Sequence, residues 1–367
     1  MCKESDTKLS SSSTSTAASS SRSTSNETIS STLSSGSDGE SWSETTPVPS
    51  NAKRMSTLDS SSFDEPSSVI PSFNFWPTTF GALALSFGML GFSLWMPFVG
   101  LEEASGETYQ FAYWNYDPSI SRFDNTAWTY VTDYMLAAVM AAFSFSTLSL
   151  SQPRNTDRLC NRVASLSLLY MISVIAGGIA HQTFLTVESR NSLSFQLLWT
   201  LCVGTVSLAS TSMGCCGSEI VRKFQAEKHC SAKFQKIPVV PEYVWCIYGF
   251  CVFVFTALGG MSFQRPACDI FIAGTSQTPS TAYIMIVLYF VDHPKAKFNI
   301  RAWGMFGFIF NAPLLPMYPI LIYYTNLPLA AVNTLLHSWL TVAWSSQAFA
   351  LGHVIRSVVH TTKEKSI

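Results

Sequence analysis

Hydrophobic positions along the chain gather into eight long runs, at residues 75–99, 127–150, 163–187, 193–213, 243–263, 270–291, 300–324 and 329–355. About 20 apolar residues in a helix cross a hydrocarbon core of about 30 Å. The pattern therefore predicts an all-α membrane protein with eight transmembrane helices. Trp76 and Trp95 bracket the first run at interfacial depth, and Ala84 and Gly88 form a small-xxx-small pair suited to close helix packing. The sixth run is interrupted at residues 275–279, Thr-Ser-Gln-Thr-Pro, which predicts a kinked or partly re-entrant helix. The seventh carries Pro313, Pro316 and Pro319, which should bend it. Asn326 should cap the eighth, with Pro328 in its first turn. No solenoid-type repeat is present.

The eighth run departs most from plain hydrophobicity. Asn333, His337, Thr341 and Ser345 recur at a step of four and so share one helical face. A polar stripe on a spanning helix is costly against lipid, so it should point into the bundle. Asn333 and Thr341 are the expected ligand-lining residues of that stripe.

The flanks differ in kind. Residues 1–72 are dominated by Ser and Thr, with too few large apolar side chains to bury a core, and are expected to be a disordered, phosphorylatable or passive tail. Residues 73–357 form the membrane domain and residues 358–367 a short second tail. The first apolar run should act as an uncleaved anchor. Charged residues make up 12% of the chain, against about 25% in soluble domains, which places it in the membrane class. Net charge is −1 without a basic block, so nucleic acid is not an expected partner; membrane lipids are. The nine cysteines are odd in number and should be reduced thiols. Cys215 and Cys216, beside the end of the fourth run, are either sites for palmitoylation or inert small residues.

Loop charge orients the spans. The loop after the first run is acidic (Glu102, Glu103, Glu107, Asp117 and Asp124 against Arg122), and the next holds Arg154, Arg158 and Arg162. The loop after the fourth holds Arg222, Lys223, Lys228, Lys233 and Lys236, and that after the sixth Lys295, Lys297 and Arg301. The excess alternates, so the basic loops and both termini should lie in the cytosol.

Candidate chemistry follows from depth. Asp133 lies about six residues into a span that starts outside, His181 near the outer end of the third, and His337 about ten residues into the eighth. At about 1.5 Å per residue these three and Asn333 fall in the outer half of the bilayer. Two imidazoles and a carboxylate could hold Zn²⁺ with an open position for water, which the metal would activate. The same groups could instead pair with one another as structural glue between helices.

Three short motifs resemble the seven-helix superfamily of alkaline ceramidases and progestin/adiponectin-type receptors: Thr132-Asp133-Tyr134, the stretch from Gly177 to His181, and the stretch from Asn333 to His337. The resemblance covers residues 127–355 and implies a CREST-like seven-helix core with the first span as an added helix. It further implies zinc held by His181 and His337 with Asp133, and hydrolysis of lipid amides with Asp133 as a catalytic residue. The chain departs from the pattern where Asn333 replaces the first histidine of the last pair, where Gly177 replaces a serine, and in having no aspartate in the fourth run. The resulting expectation is a non-enzymatic or weakly active membrane protein whose outer polar cavity binds or senses a lipid or small molecule. The alternatives are a zinc-dependent lipid hydrolase and a transporter that moves about the broken sixth and bent seventh spans.

Overall fold

Helices occupy the apolar runs, and no strand occurs among the described residues. The computed structural model describes residues 75–95, 124–150, 157–226, 231–261, 273–291, 297–312 and 327–364, with a few single positions between 314 and 325. The Ser/Thr-rich tail, most of the acidic loop, Asn326 and the three prolines of the seventh run lie outside the described residues. The helices are α1 (Phe75–Trp95), α2 (Ala127–Leu148), α3 (Asp157–Thr183), the short α4 (Val187–Arg190), α5 (Leu193–Ala226), α6 (Glu242–Met261), α7 (Thr278–Phe290), α8 (Lys297–Asn311) and α9 (Leu329–Glu364). A 3₁₀ turn, Phe234–Lys236, joins α5 to α6.

Four of these are long and apolar enough to cross a membrane: Phe75–Trp95, Ala127–Leu148, Arg158–Thr183 and Leu193–Ala226. The apolar part of α6, Glu242–Leu258, is shorter. With 13 residues, α7 is only about 20 Å long. A helical turn at residues 273–276 precedes it, and the chain breaks at Gln277 just before Pro279, so the expected interruption is present. α8 ends at Asn311, two residues short of Pro313, whose ring restricts the residue before it.

α9 has 36 residues, ample length, but a polar stripe lowers its hydropathy. Its position resolves the conflict. It packs on α1, α2, α3, α5 and α8, and every residue from Thr341 to Gly352 is buried. Its hydroxyls meet partners rather than hydrocarbon. Ser345 pairs with Ser86 at 2.9 Å and Ser338 with Ser93 at 2.6 Å, while Thr334 and Ser346 donate to carbonyls one turn back. These contacts run α1 antiparallel to α9.

Close approach at two glycines sets the packing around α9. A Cβ on Gly307 of α8 would stand 2.8 Å from the Ala343 carbonyl oxygen and 2.8 Å from the Gln347 amide, both backbone atoms. On Gly352 it would stand 2.0 Å from the Phe75 ring, which seats α1. Small residues allow this approach in membrane helices, where packing rather than hydrophobicity holds helices together. The Ala84 and Gly88 pair makes no such contact among the described residues: Ala84 is exposed, and none of their atoms lies within 4 Å of a Cβ on Gly88. Deeper in, Tyr170 stacks on Trp344 at 3.8 Å and donates its hydroxyl proton to Gln277 Oε1 at 3.0 Å.

Large apolar side chains cover the outside, among them Phe80, Leu94, Ile247, Phe250, Phe255 and Leu258. So extensive an apolar exterior would aggregate in water and suits a lipid environment. Successive long helices run in opposite directions, so their ends alternate between the two ends of the bundle. The described lysines and arginines gather at one end, Arg190 excepted. Cys215 and Cys216 are buried there, which favours the inert reading of the pair over palmitoylation.

Candidate functional site

Three helix ends meet at the end of the bundle opposite the lysines and arginines: the starts of α2 and α9 and the finish of α3. Their meeting point is Asp124, two residues before the helical N-cap Thr126 and only 2% exposed. Its Oδ1 accepts the Thr126 amide at 2.9 Å, and its Oδ2 accepts the Thr129 hydroxyl and, at 2.8 Å, the Asn333 side-chain amide. Its backbone carbonyl receives His181 Nδ1–H at 2.7 Å. Asn125 extends the junction by donating to the carbonyls of His181 (2.6 Å) and Phe184 (3.2 Å) at the exposed end of α3. One short segment thus ties three helices together.

One turn deeper, His337 of α9 reaches across to α2. Its Nδ1 lies 2.9 Å from the Thr132 hydroxyl and its Nε2 3.4 Å from Asp133 Oδ1, which fixes the ring between neighbouring residues. The second carboxylate oxygen of Asp133, Oδ2, is buried without a hydrogen-bond partner among the described residues. Gly177 of α3 faces that oxygen. A Cβ there would stand 3.7 Å from Asp133 Oδ2 and 3.4 Å from Cys202 Sγ, ordinary contact distances.

The sequence-derived residues therefore divide. Asp133 pairs with His337. His181 bonds the Asp124 carbonyl, and through Asp124 meets Asn333 of α9. Asn333 donates to Asp124, and Thr341, fully buried, donates its hydroxyl to the His337 carbonyl at 2.7 Å on its own helix. Asp124 was counted among the loop charges on sequence, yet it is the residue on which the junction turns. Its signal was its place immediately before an apolar run, in Asp-Asn-Thr, where a short acidic side chain caps free amides.

Zinc would need His181, His337 and Asp133 to converge as donors. No three His, Cys, Asp or Glu side chains come together as a metal-binding set among the described residues. His181 Nδ1 is committed to a carbonyl and His337 spans Thr132 and Asp133, so the groups present do not fit a zinc centre, and no chemistry is derived through one.

Further in, the same helix faces change character. Met140 and Trp344 follow Asp133 and His337 by seven residues each, about 10 Å along their helices. With Leu166, Tyr170, Ala348 and Leu351 they line a mainly apolar gap of only about 10 Å³, room for about one water, that also includes Ser167 and Gln347. A polar end and an apolar gap thus lie in line between α2, α3 and α9. Compared with known family models, with curated proteins and with solved structures, the chain matches none.

Proposed function

We propose that this chain is an eight-span membrane protein that binds an amphiphile, lipid or lipid-like, without transforming it, with the polar end at Asp133 and His337. The buried, unpartnered Oδ2 of Asp133 carries this reading. Burial of an acceptor without a partner is costly, and a hydroxyl or amine of a ligand supplies the missing donor. The gap about two turns deeper has room for about one water only, so the hydrocarbon part of the ligand would stay in the lipid around the apolar exterior of the bundle.

The eight-span count is supported by the alternating helix ends and by the burial of the middle of α9, Thr341 to Gly352, which frees that helix from the apolarity a lipid-facing span needs. With the lysines and arginines at one end, the positive-inside rule puts that end, and both termini, in the cytosol. Asn26 of the sequon Asn-Glu-Thr should then stay unglycosylated in cells with glycosylation machinery. A glycan removable by endoglycosidase at that site would reverse the orientation.

The ligand is tested by purifying the full chain from membranes, extracting it and identifying amphiphiles by mass spectrometry. Loss of a hydrogen bond to a charged group weakens binding about tenfold or more, so Asp133→Asn should deplete the bound species to that extent. Gly177→Ser should do the same from the opposite wall. Its hydroxyl fits beside Oδ2 and occupies the acceptor, while a serine favours the helix over glycine by about 0.5 kcal/mol, so the melting temperature should hold or rise. Identical lipid profiles in the wild type and both variants would sink the proposal. Stoichiometric zinc, lost in His181→Ala and in His337→Ala, would instead favour the hydrolase.

A further inference from the structure

At the end of the bundle opposite the polar junction, three arginines converge on two carboxylates from three helices. Arg158 and Arg162 stand at the start of α3, Glu219 and Arg222 near the end of α5, and Glu242 opens α6. Arg162 reaches Glu242 at 2.7 Å, and Arg158 reaches Glu242 at 2.8 Å and Glu219 at 3.7 Å. Arg222 pairs with Glu219 and lies 3.5 Å from Glu242. The layering is one-sided: the Glu219 and Glu242 side chains are 3% and 13% exposed, those of Arg158, Arg162 and Arg222 56%, 37% and 40%. Carboxylates underneath therefore hold guanidinium groups above.

Three positive charges over two negative ones leave one in excess. Each guanidinium carries five N–H donors in a planar fork, and two carboxylates with four oxygens cannot engage them all. One unengaged donor, Arg162 Nε, is buried, while the partly exposed side chains of the three arginines leave others open to an anion. We propose that this arginine cluster binds a phosphate group, either the monoester headgroup of an anionic membrane lipid or free inorganic phosphate. Guanidinium forks match phosphate oxygens two at a time and are weakly hydrated, so they suit a phosphate better than lysines would. Position supports the lipid source: the cluster closes the ends of three membrane helices, at the depth where headgroups lie, and basic pockets between helix ends capture anionic lipids. The site is independent of the polar junction, which lies at the other end of α3. Arg158 and His181 are 23 residues apart, about 35 Å along the helix.

Native mass spectrometry of the full chain in neutral detergent tests the site by titration with dioctanoyl phosphatidic acid, dioctanoyl phosphatidylcholine and inorganic phosphate. Phosphatidic acid should bind at least about tenfold more tightly than phosphatidylcholine. R158Q/R222Q should abolish that preference, and K233Q/K236Q, two exposed lysines on the adjoining loop, should keep it. Inorganic phosphate competing at the same concentration as phosphatidic acid would support the site with a free anion as its source. Absence of any preference, or equal loss in both double variants, would overturn the proposal. If R158Q/R222Q no longer melts like the wild type, R158K decides. It keeps the charge and removes the fork, so weaker binding supports the site and unchanged binding refutes it.

Discussion

Replacing Asp124 by alanine should lower the melting temperature of the purified protein by roughly 6–12 °C. Two side-chain donors, the Thr129 hydroxyl and the Asn333 amide, lose their acceptor together, and the Thr126 amide loses its cap. Asn333 is 8% exposed and would be left with a buried, unanswered amide. Hydrogen bonds to a charged group contribute about 1.5–3 kcal/mol each and an orphaned buried donor costs about 1–3 kcal/mol, so a net loss of about 3 kcal/mol is expected. For a domain of this size each kcal/mol moves the midpoint by about 2–4 °C. Asp124→Asn keeps an acceptor oxygen and should retain roughly half of the effect. Thermal unfolding followed by tryptophan fluorescence in nanodiscs measures both. A shift in Asp124→Ala no larger than that of an exposed-loop control would mean that the three helix ends are held by other contacts.

Gly307→Val should be more damaging still. At Gly307 the obstacle is the backbone of α9, with the Ala343 carbonyl and the Gln347 amide each 2.8 Å from an added Cβ. Backbone cannot rotate away as a side chain can, so α8 must move off the central helix. It would also strain the hydrogen bond from Gln347 Nε2 to the Gly307 carbonyl, 3.3 Å long. Overpacking costs about 1–3 kcal/mol where side chains adjust and more where they cannot, so little folded Gly307→Val protein should accumulate. Gly304, one turn earlier, is the internal comparison. Its Cβ would meet the Leu288 side chain at 2.9 Å, which can rotate, so Gly304→Ala should be markedly milder than Gly307→Ala. Equal yields and melting temperatures for those two alanine variants would contradict the packing of α8 on α9.

The central position of α9 was legible in the sequence because a polar stripe at a step of four on a span-length helix has nowhere to go but inward. The same regularity placed His337, Asn333, Asp133 and His181 at one end of the bundle, since depth along a helix is counted residue by residue. Which atoms would touch was not legible. Asp133 and Asp124 are both short acids near the start of α2, and periodicity cannot tell that Asp124 turns into the junction and takes Asn333 while Asp133 takes His337. That choice depends on how far the chain before α2 folds back over α3, which Asn125 fixes through carbonyls of His181 and Phe184. Glu219 was passed over for a related reason. It follows the apolar run and reads as a loop charge, but α5 continues for three more turns because Ile220, Val221 and Phe224 are buried. Continuation of the helix carries Glu219 into the interior, beneath the arginines.

The most direct measurement is an experimental density map of the full chain in membrane-derived lipid, inspected between α2, α3 and α9. Non-protein density reaching Asp133 Oδ2 within about 2.6–3.2 Å is the expected result, because an amphiphile donor is proposed to satisfy that oxygen. A map in which another side chain of the protein donates to Asp133 Oδ2, or in which a single metal joins His181, His337 and Asp133, would contradict it.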